Sequence, residues 1–526
     1  MNMSVFLILL FFGGGLGLFF LSYGVCGLFF LEWNFVVVKF NMFFGSVSFS
    51  LVLLVVTMSV IVFSSYYMGL DMNLLYFLLV LIVFVMSMFF LNLSASIFFL
   101  LMSWDVLGIS SFFLVLYYNN WDSCSGAMNT VLTNRVGDFF LFVFFSFFLF
   151  SVGFFTFLVF CCLGLGILAV AAGFTKSAQF PFSGWLPKAM SAPTPVSALV
   201  HSSTLVTAGL IMLMNFNYMV LSVNLSYIVF LVGLLTMFFS SVSAMVEVDM
   251  KKVVALSTLS QMGFAALTLG VGYYFISFVH LLSHAFFKSC LFIQVGVFIH
   301  SFFSQQDSRG YESASSNLFF IQFQMLVTLL CLCGLIFTSG AVTKDVILCG
   351  VMGGSQLLVV SFLFFFGIFF TFCYSYKLFS CLLASCAKCV LNFVVSGLMS
   401  WFSLFLILLS VFFMWWYSGN VMLIPEFFVF VDFYMPLIYV AVLLMSAFFL
   451  LKLLFCELKY KFVVDYDARH SVYFIGSVKM VDLLFDKFIG SILSAVGGGS
   501  LLFSIFMKSY MMVVFSVGVF LLLMVC

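Results

Sequence analysis

The chain has 526 residues, 66% of them hydrophobic and only 7% charged, where a soluble domain carries about a quarter charged residues. Those proportions exclude a soluble globular protein, and a net charge of +1 gives no argument for nucleic acid or a strongly acidic partner. Apolar runs long enough for a ~20-residue span recur along almost the whole length, and their breaks predict about fifteen transmembrane helices, an all-α polytopic membrane protein. A β-barrel is excluded because stretches such as "FFLFVFFSFFLFSVGFF" are continuously apolar rather than alternating.

The first run, from Ser4 to about Leu31, lacks a basic leader and a small-residue cleavage site and reads as a retained span. Its glycines, Gly13, Gly14, Gly15 and Gly17, follow no strand and open no βαβ unit, so they form no dinucleotide fingerprint and suit helix packing. Lys39, Asp71, Asp122 and Lys377 fall near expected helix ends, where a charge snorkels to the interface. Asp105 differs, because "SIFFLLMSWDVLGISSFFLVLYY" surrounds it with mainly apolar residues on both sides. A charge at mid-bilayer costs about 2.5–3.5 kcal/mol on insertion scales, so Asp105 is expected to face a polar cavity. In "TNRVGD", Arg135 and Asp138 lie three apart on one helix face, which suits a local ion pair as well as a functional one.

Four of the six prolines, Pro181, Pro187, Pro193 and Pro195, then crowd together around Gly184, with Lys176 before them and His201 after. Proline and glycine interrupt regular helix, and a membrane tolerates the interruption only where protein or water satisfies the freed backbone groups. The segment reads as a broken helix with Lys176 at the break and His201 on the helix that follows. In "EVDMKKVVALSTLSQMGF", Glu247, Asp249, Lys251 and Lys252 are expected in a loop and helix start. Ser257, Thr258, Ser260 and Gln261 either line a wet interior or glue helices together, and both readings stand.

"SFVHLLSHAFFKSCLF" puts His280, His284 and Lys288 at successive i, i+4 steps, a row about 12 Å long at 1.5 Å per residue. The residues between the histidines include no acid and no HExxH pattern, so zinc is a poor fit and a relay of proton sites a better one. Histidine titrates near neutral pH and a desolvated lysine approaches the same range, so both types can exchange protons. "GLIFTSGAVTKDVILCGVMGG" sets Lys344 and Asp345 in a second glycine-interrupted segment. Paired interrupted helices, one per half, characterise transporters built from internal repeats.

Fourteen cysteines are scattered through apolar stretches, where thiols behave as small hydrophobes. The lone CxxC, Cys386 to Cys389, lacks a second pair, so no metal or iron–sulfur site is expected. Charges then gather between Glu457 and Lys508. Around "SVKMVDLLFDKFIG", Lys479, Asp482 and Asp486 follow one face and Leu483, Leu484 and Phe488 another, the pattern of a surface-lying amphipathic helix. A final apolar run, about Tyr510 to Cys526, returns to the membrane.

"GFTKSAQFPFSGWLPKAMSAPTPVSALVHSSTLVTAG", "TNRVGD", "DMKKVVALSTLSQMG", "HLLSHAFFKSCLF" and "TKDVIL" together resemble the antiporter-like membrane subunits of respiratory complex I, the NADH:ubiquinone oxidoreductase, strongly over residues 95–350. The resemblance implies two inverted five-helix repeats, each with a broken helix, a polar axis across the membrane midplane and a C-terminal lateral helix. The chain then divides into N-terminal helices (1–92), a first antiporter-like half (93–245), a second half (246–420), an additional transmembrane helix (421–456), the amphipathic lateral helix (457–505) and a terminal transmembrane helix (506–526). By motif, Lys176 is the broken-helix lysine of the first half and Asp105 stands where the family has its partner glutamate. His201 follows; His280, His284 and Lys288 make the central relay, and Lys344 with Asp345 the second break.

The resemblance further implies a multi-pass protein of the mitochondrial inner membrane, to which 81 phenylalanines and 30 methionines beside six prolines add the signature of a compositionally skewed genome. NADH, FMN, iron–sulfur clusters and ubiquinone are expected in other subunits, with no cofactor, metal or redox site in this chain. The implied partners are the other membrane-arm subunits, above all the neighbouring antiporter-like subunit, with accessory subunits and lipids such as cardiolipin. Two departures stand out: the family's "WEG" reads Trp104-Asp105-Val106, one methylene shorter at the carboxylate, and the C-terminal end is short, as in compact nematode versions. A multi-subunit cation/proton antiporter and a structural membrane-arm scaffold are the alternatives.

Overall fold

The computed structural model describes residues 29–33, 36–39, most of 44–383, 403–412 and 445; the additional helix except Met445, the lateral helix, the terminal helix and the CxxC lie outside them. All belong to the compact unit Met1–Ala447. The first described segments are not helical. Strands β1 (Phe29–Trp33) and β2 (Val36–Lys39) pair antiparallel, with Trp33 opposite Val36. The apolar run read as a span to Leu31 has therefore become strand by Phe29, where the β-branched Val36-Val37-Val38 favours an extended partner.

Helices follow in order: α1 (Phe44–Tyr67), α2 (Leu74–Leu93), α3 (Ile97–Leu116), α4 (Trp121–Ser151), α5 (Leu158–Lys176), α6 (Thr194–Asn215), α7 (Val223–Val246), α8 (Met250–Val271), α9 (Tyr274–Ser301), α10 (Phe319–Cys333), α11 (Ser339–Met352), α12 (Leu358–Leu383) and α13 (Ser403–Phe412). Among the described residues, eight helices are long and apolar enough to cross a membrane. Hydroxyls inside them are commonly satisfied within the helix: in α1, the buried Thr57, Ser59 and Ser64 each donate to the carbonyl three residues earlier, as a segment out of reach of bulk water requires.

Position in the bundle sorts these helices. Between 94% and 100% of the span windows of α6, α8 and α9 is buried, against 44% in α2 and α3. The inner helices carry the hydroxyls, amides, lysines and histidines, and the outer ones present Phe, Leu and Met outward. Close approach comes from small residues. A Cβ on Gly233 would lie 2.6 Å from the Leu267 nitrogen and one on Gly270 2.5 Å from the Phe230 nitrogen, so α7 and α8 touch backbone to backbone.

Two interruptions position the site. Helix α5 stops at Lys176, Ala178 adopts φ 55°, Phe180–Pro181 is cis, and single turns at 182–191 lead to α6. Pro195 lies in the first turn of α6, where its missing N–H costs nothing. Within α6, Val200–Thr204 widens into a π-helical turn. The carbonyls displaced there are met by hydroxyls: Thr204 and Ser203 donate to Leu199 O at 2.9 and 3.2 Å, and Ser202 donates to Ala198 O. The second interruption lies between α10 and α11 at Gly334, whose φ of +79° is a left-handed conformation that glycine adopts without steric cost.

Candidate functional site

Lys176, the last residue of α5, is fully buried. Its ammonium donates to Trp104 O at 2.7 Å and lies 3.7 Å from the centre of the Trp104 ring, so backbone carbonyl and π-face both hold the cation. The indole Nε1 of Trp104 donates at 2.9 Å to Oδ1 of Asp138, whose Oδ2 accepts from Arg135 at 3.2 Å. Asp138 is 8% exposed at its side chain, whereas Asp105 is 30% exposed and meets Arg135, itself 52% exposed, at 3.8 Å.

This geometry corrects one expectation. Asp105 neither faces an inner cavity nor pairs directly with Lys176; successive helical side chains point about 100° apart, so on α3 Trp104 takes the inward direction and Asp105 the outward one. The charges acting on Lys176 are, in order, Asp138, Asp105 and Arg135. Trp104 carries no charge, and nothing in its spacing marked it. Only the contact between three helices reveals it.

Around the break, the Trp185 indole donates to Thr175 O at 3.0 Å while its ring packs 5.9 Å from that of His201. Gln179 accepts from Thr236 at 2.6 Å, tying the break to α7. His201 lies in the π-helical turn, buried, and neither ring nitrogen meets a hydrogen-bond partner among the described residues. The charge that acts on it is Lys251.

Lys251 stands at a helix start, as the sequence indicates, but its burial was not foreseen. It is 2% exposed, on the first turn of α8, and its ammonium donates to Ala192 O inside the proline-rich break. Its neighbour Lys252 turns outward to an ion pair with Asp249. The available signal was the row Lys251, Val254, Thr258, Gln261, which continues at helical spacing into a buried face.

In the second half, His280, His284 and Lys288 are fully buried on α9. Lys288 donates to Ser257 at 2.6 Å, and His280 Nδ1 lies 3.1 Å from the Thr343 hydroxyl, next to Lys344. Ser260, one turn from Ser257, meets the Tyr374 hydroxyl at 3.3 Å. Both nitrogens of His284 and Nε2 of His280 have no protein hydrogen-bond partner among the described residues. Lys344 donates to Leu332 O at 2.5 Å, the carbonyl freed where α10 ends. Lys344, Lys288 and His280 all act electrostatically on His284, and Asp345 acts on Lys344.

The candidate residues therefore form three groups: Arg135, Asp138 and Lys176 around Trp104, with Asp105 at their outer edge; His201 with Lys251; and Lys288, His284, His280, Lys344 and Asp345. Among the described residues no direct hydrogen bond joins Lys176 to His201; the Trp185 ring packs against His201 while its indole bonds the carbonyl of Thr175, next to Lys176. Of the break residues, Pro181, Gly184 and Pro187 occupy the irregular turns, and Pro193 and Pro195 begin α6. Among the described residues, no group of three or more His, Cys, Asp or Glu could hold a metal ion.

Interrupted helices with buried lysines at their breaks, wrapped in lipid-facing ones, define an integral membrane protein of antiporter-like architecture. Residues 94–371 match the family described as NADH:quinone oxidoreductase/Mrp antiporter, transmembrane, and the chain belongs to that family. Among curated proteins it is similar to NADH-ubiquinone oxidoreductase chain 5 of Ascaris suum, 52% identical over 494 residues, 94% of this chain and 90% of that one. The chain 5 of Caenorhabditis elegans is 50% identical over 488 residues, 93% of each chain. Among solved structures, the fold is similar to one in the Mrp complex from Dietzia sp. DQ12-45-1b, with a TM-score of 0.69 at 22% identity over 89% of this chain and 56% of that chain. An archaeal membrane-bound sulfane sulfur reductase gives 0.63 at 16% identity, over 74% of this chain and 84% of that one.

Proposed function

We propose that this chain is the proton-translocating, antiporter-like membrane subunit of an NADH:ubiquinone oxidoreductase of the mitochondrial inner membrane. NADH, FMN, iron–sulfur clusters and ubiquinone are handled by other subunits, and quinone reduction there drives proton movement here. The observation that carries the reading is the set of buried ionisable groups, Lys176, His201, Lys251, Lys288, His284, His280 and Lys344, gathered at the two helix interruptions and on the helices packed against them. Burying so many such groups is costly unless they are used, and ionisable residues inside membrane spans mark ion and proton paths.

The mechanism has three stages. At rest, Trp104 and the Asp138–Arg135 pair hold the Lys176 ammonium. A charge displacement arriving at Asp105 from the neighbouring subunit loosens that hold, and the proton leaves toward His201 and Lys251. Lys288, His284 and His280 pass it on, with Lys344 and Asp345 as the exit-side gate. The partnerless nitrogens of His201 and His284 suit ordered water as the connecting element. Moving one charge against the membrane potential costs about 2.3 kcal/mol per 100 mV.

The two halves, 93–245 and 246–420, would each contribute one interruption. The neighbouring antiporter-like subunit would cover the outer face of α3 and α4, where Asp105 and Arg135 stand among the exposed Met102, Val106, Ile109 and Val136; acyl chains are a poor solvent for that pair. Accessory subunits and cardiolipin would complete the surroundings. The test is proton yield per electron in reconstituted complex carrying Lys176→Met. A reduced yield in fully assembled complex is expected; a normal yield would overturn the reading. Sodium-dependent transport without quinone chemistry would favour a cation/proton antiporter instead.

A further inference from the structure

Trp104 stands at the junction of three helices. It is 1% exposed on α3. Its indole N–H reaches Asp138 on α4 at 2.9 Å, and its ring face and carbonyl hold Lys176 at the end of α5 at 3.7 and 2.7 Å. The other two members of the junction are fastened to each other. A Cβ on Gly137, beside Asp138, would fall 2.0 Å from Thr175 Oγ1, beside Lys176, so α4 and α5 are clasped at backbone distance where their charged residues face. Trp104 is thus the member on the third helix that meets both, and the next residue in the chain is Asp105, the outward carboxylate that meets Arg135.

We propose that Trp104 is the positioning residue of the first half: it ties Asp138 to Lys176, and a pull on Asp105 reaches the lysine through the Trp104 carbonyl and indole rather than through a direct ion pair. A small rotation of α3 about its axis would move the carbonyl, the ring face and the indole N–H together. One displacement would then change every direct contact of the ammonium at once. Asp105 also acts on Lys176 through space, but that action alone would leave the ammonium's contacts with the Trp104 carbonyl and ring in place. The inference rests on the proton-relay reading above and adds the part that transmits motion to the lysine.

The test uses assembled complex in inner-membrane vesicles, reading protons translocated per electron across a range of pH. Trp104→Phe keeps the ring face and the carbonyl but removes the N–H donor. Its proton yield should fall part of the way toward that of Lys176→Met, with a displaced pH profile. A wild-type yield and profile in Trp104→Phe would overturn the proposal. Asp138→Asn and Asp138→Leu provide a second arm if Trp104→Phe does not assemble. Both remove the charge, yet only asparagine still accepts from the indole, so asparagine should retain the greater yield; equal yields would refute the bridge. A normal yield in Lys176→Met would remove the relay reading itself, whereas a low yield there beside an unaltered Trp104→Phe would remove only the bridge.

Discussion

Lys251 and Lys252 are neighbours in sequence and opposites in environment. Helical geometry turns the first toward Ala192 in the proline-rich break and the second toward Asp249 at the surface. Lys251→Met should therefore lower the proton yield per electron in assembled complex, because it removes the cation acting on His201. Lys252→Met should leave that yield within error and shift stability by no more than about 1 kcal/mol, since exposed ion pairs are worth little. Proton yield and thermal inactivation measured on the two variants side by side check both statements. The histidine row on α9 was readable because spacing alone puts i, i+4 residues on one face. The helix start at Lys251 was readable too, but its burial against Ala192 was not, because a run of lysines and acids does not show which of them a neighbouring segment covers.

At the scale of elements, the interruptions and close contacts govern where charges meet. Gly137→Ala would drive a methyl group into Thr175, prising α4 from α5 where Asp138 and Lys176 are held. Overpacking of this kind typically costs about 1–3 kcal/mol, so a lower melting temperature and a reduced proton yield are expected. Thr175→Ala in the same chain should recover part of both; a Gly137→Ala complex melting with the parent would contradict the clasp. Prolines and glycines announced that helices break near Lys176 and Lys344. They did not announce the π-helical turn at His201, which depends on three successive hydroxyls finding the carbonyls that the wider turn displaces. Nor did the apolar run before Leu31 show that it ends in strand, since apolar runs serve helix and strand alike.

Across the molecule's described residues, helices are layered by polarity around a core that is still largely apolar. The most apolar helices lie outside, and the helices rich in hydroxyls, lysines and histidines fill the centre. The partly exposed Asp105–Arg135 pair breaks this rule on the outer face of α3 and α4, which is the ground for proposing a protein neighbour there. Arg135→Leu should weaken retention of the adjacent membrane subunit, seen as partial subcomplexes on native gels, while Lys252→Met should not.

From its residues alone the chain was bound to be a polytopic helical membrane protein with interrupted helices and a buried row of titratable groups, because lipid leaves a backbone few ways to satisfy its hydrogen bonds and makes every internal charge conspicuous. Which charges act as partners was decided only by tertiary structure. A turn of about 100° per residue separates Trp104 from Asp105 and Lys251 from Lys252, and only the packing of neighbouring helices selects which of each pair faces inward.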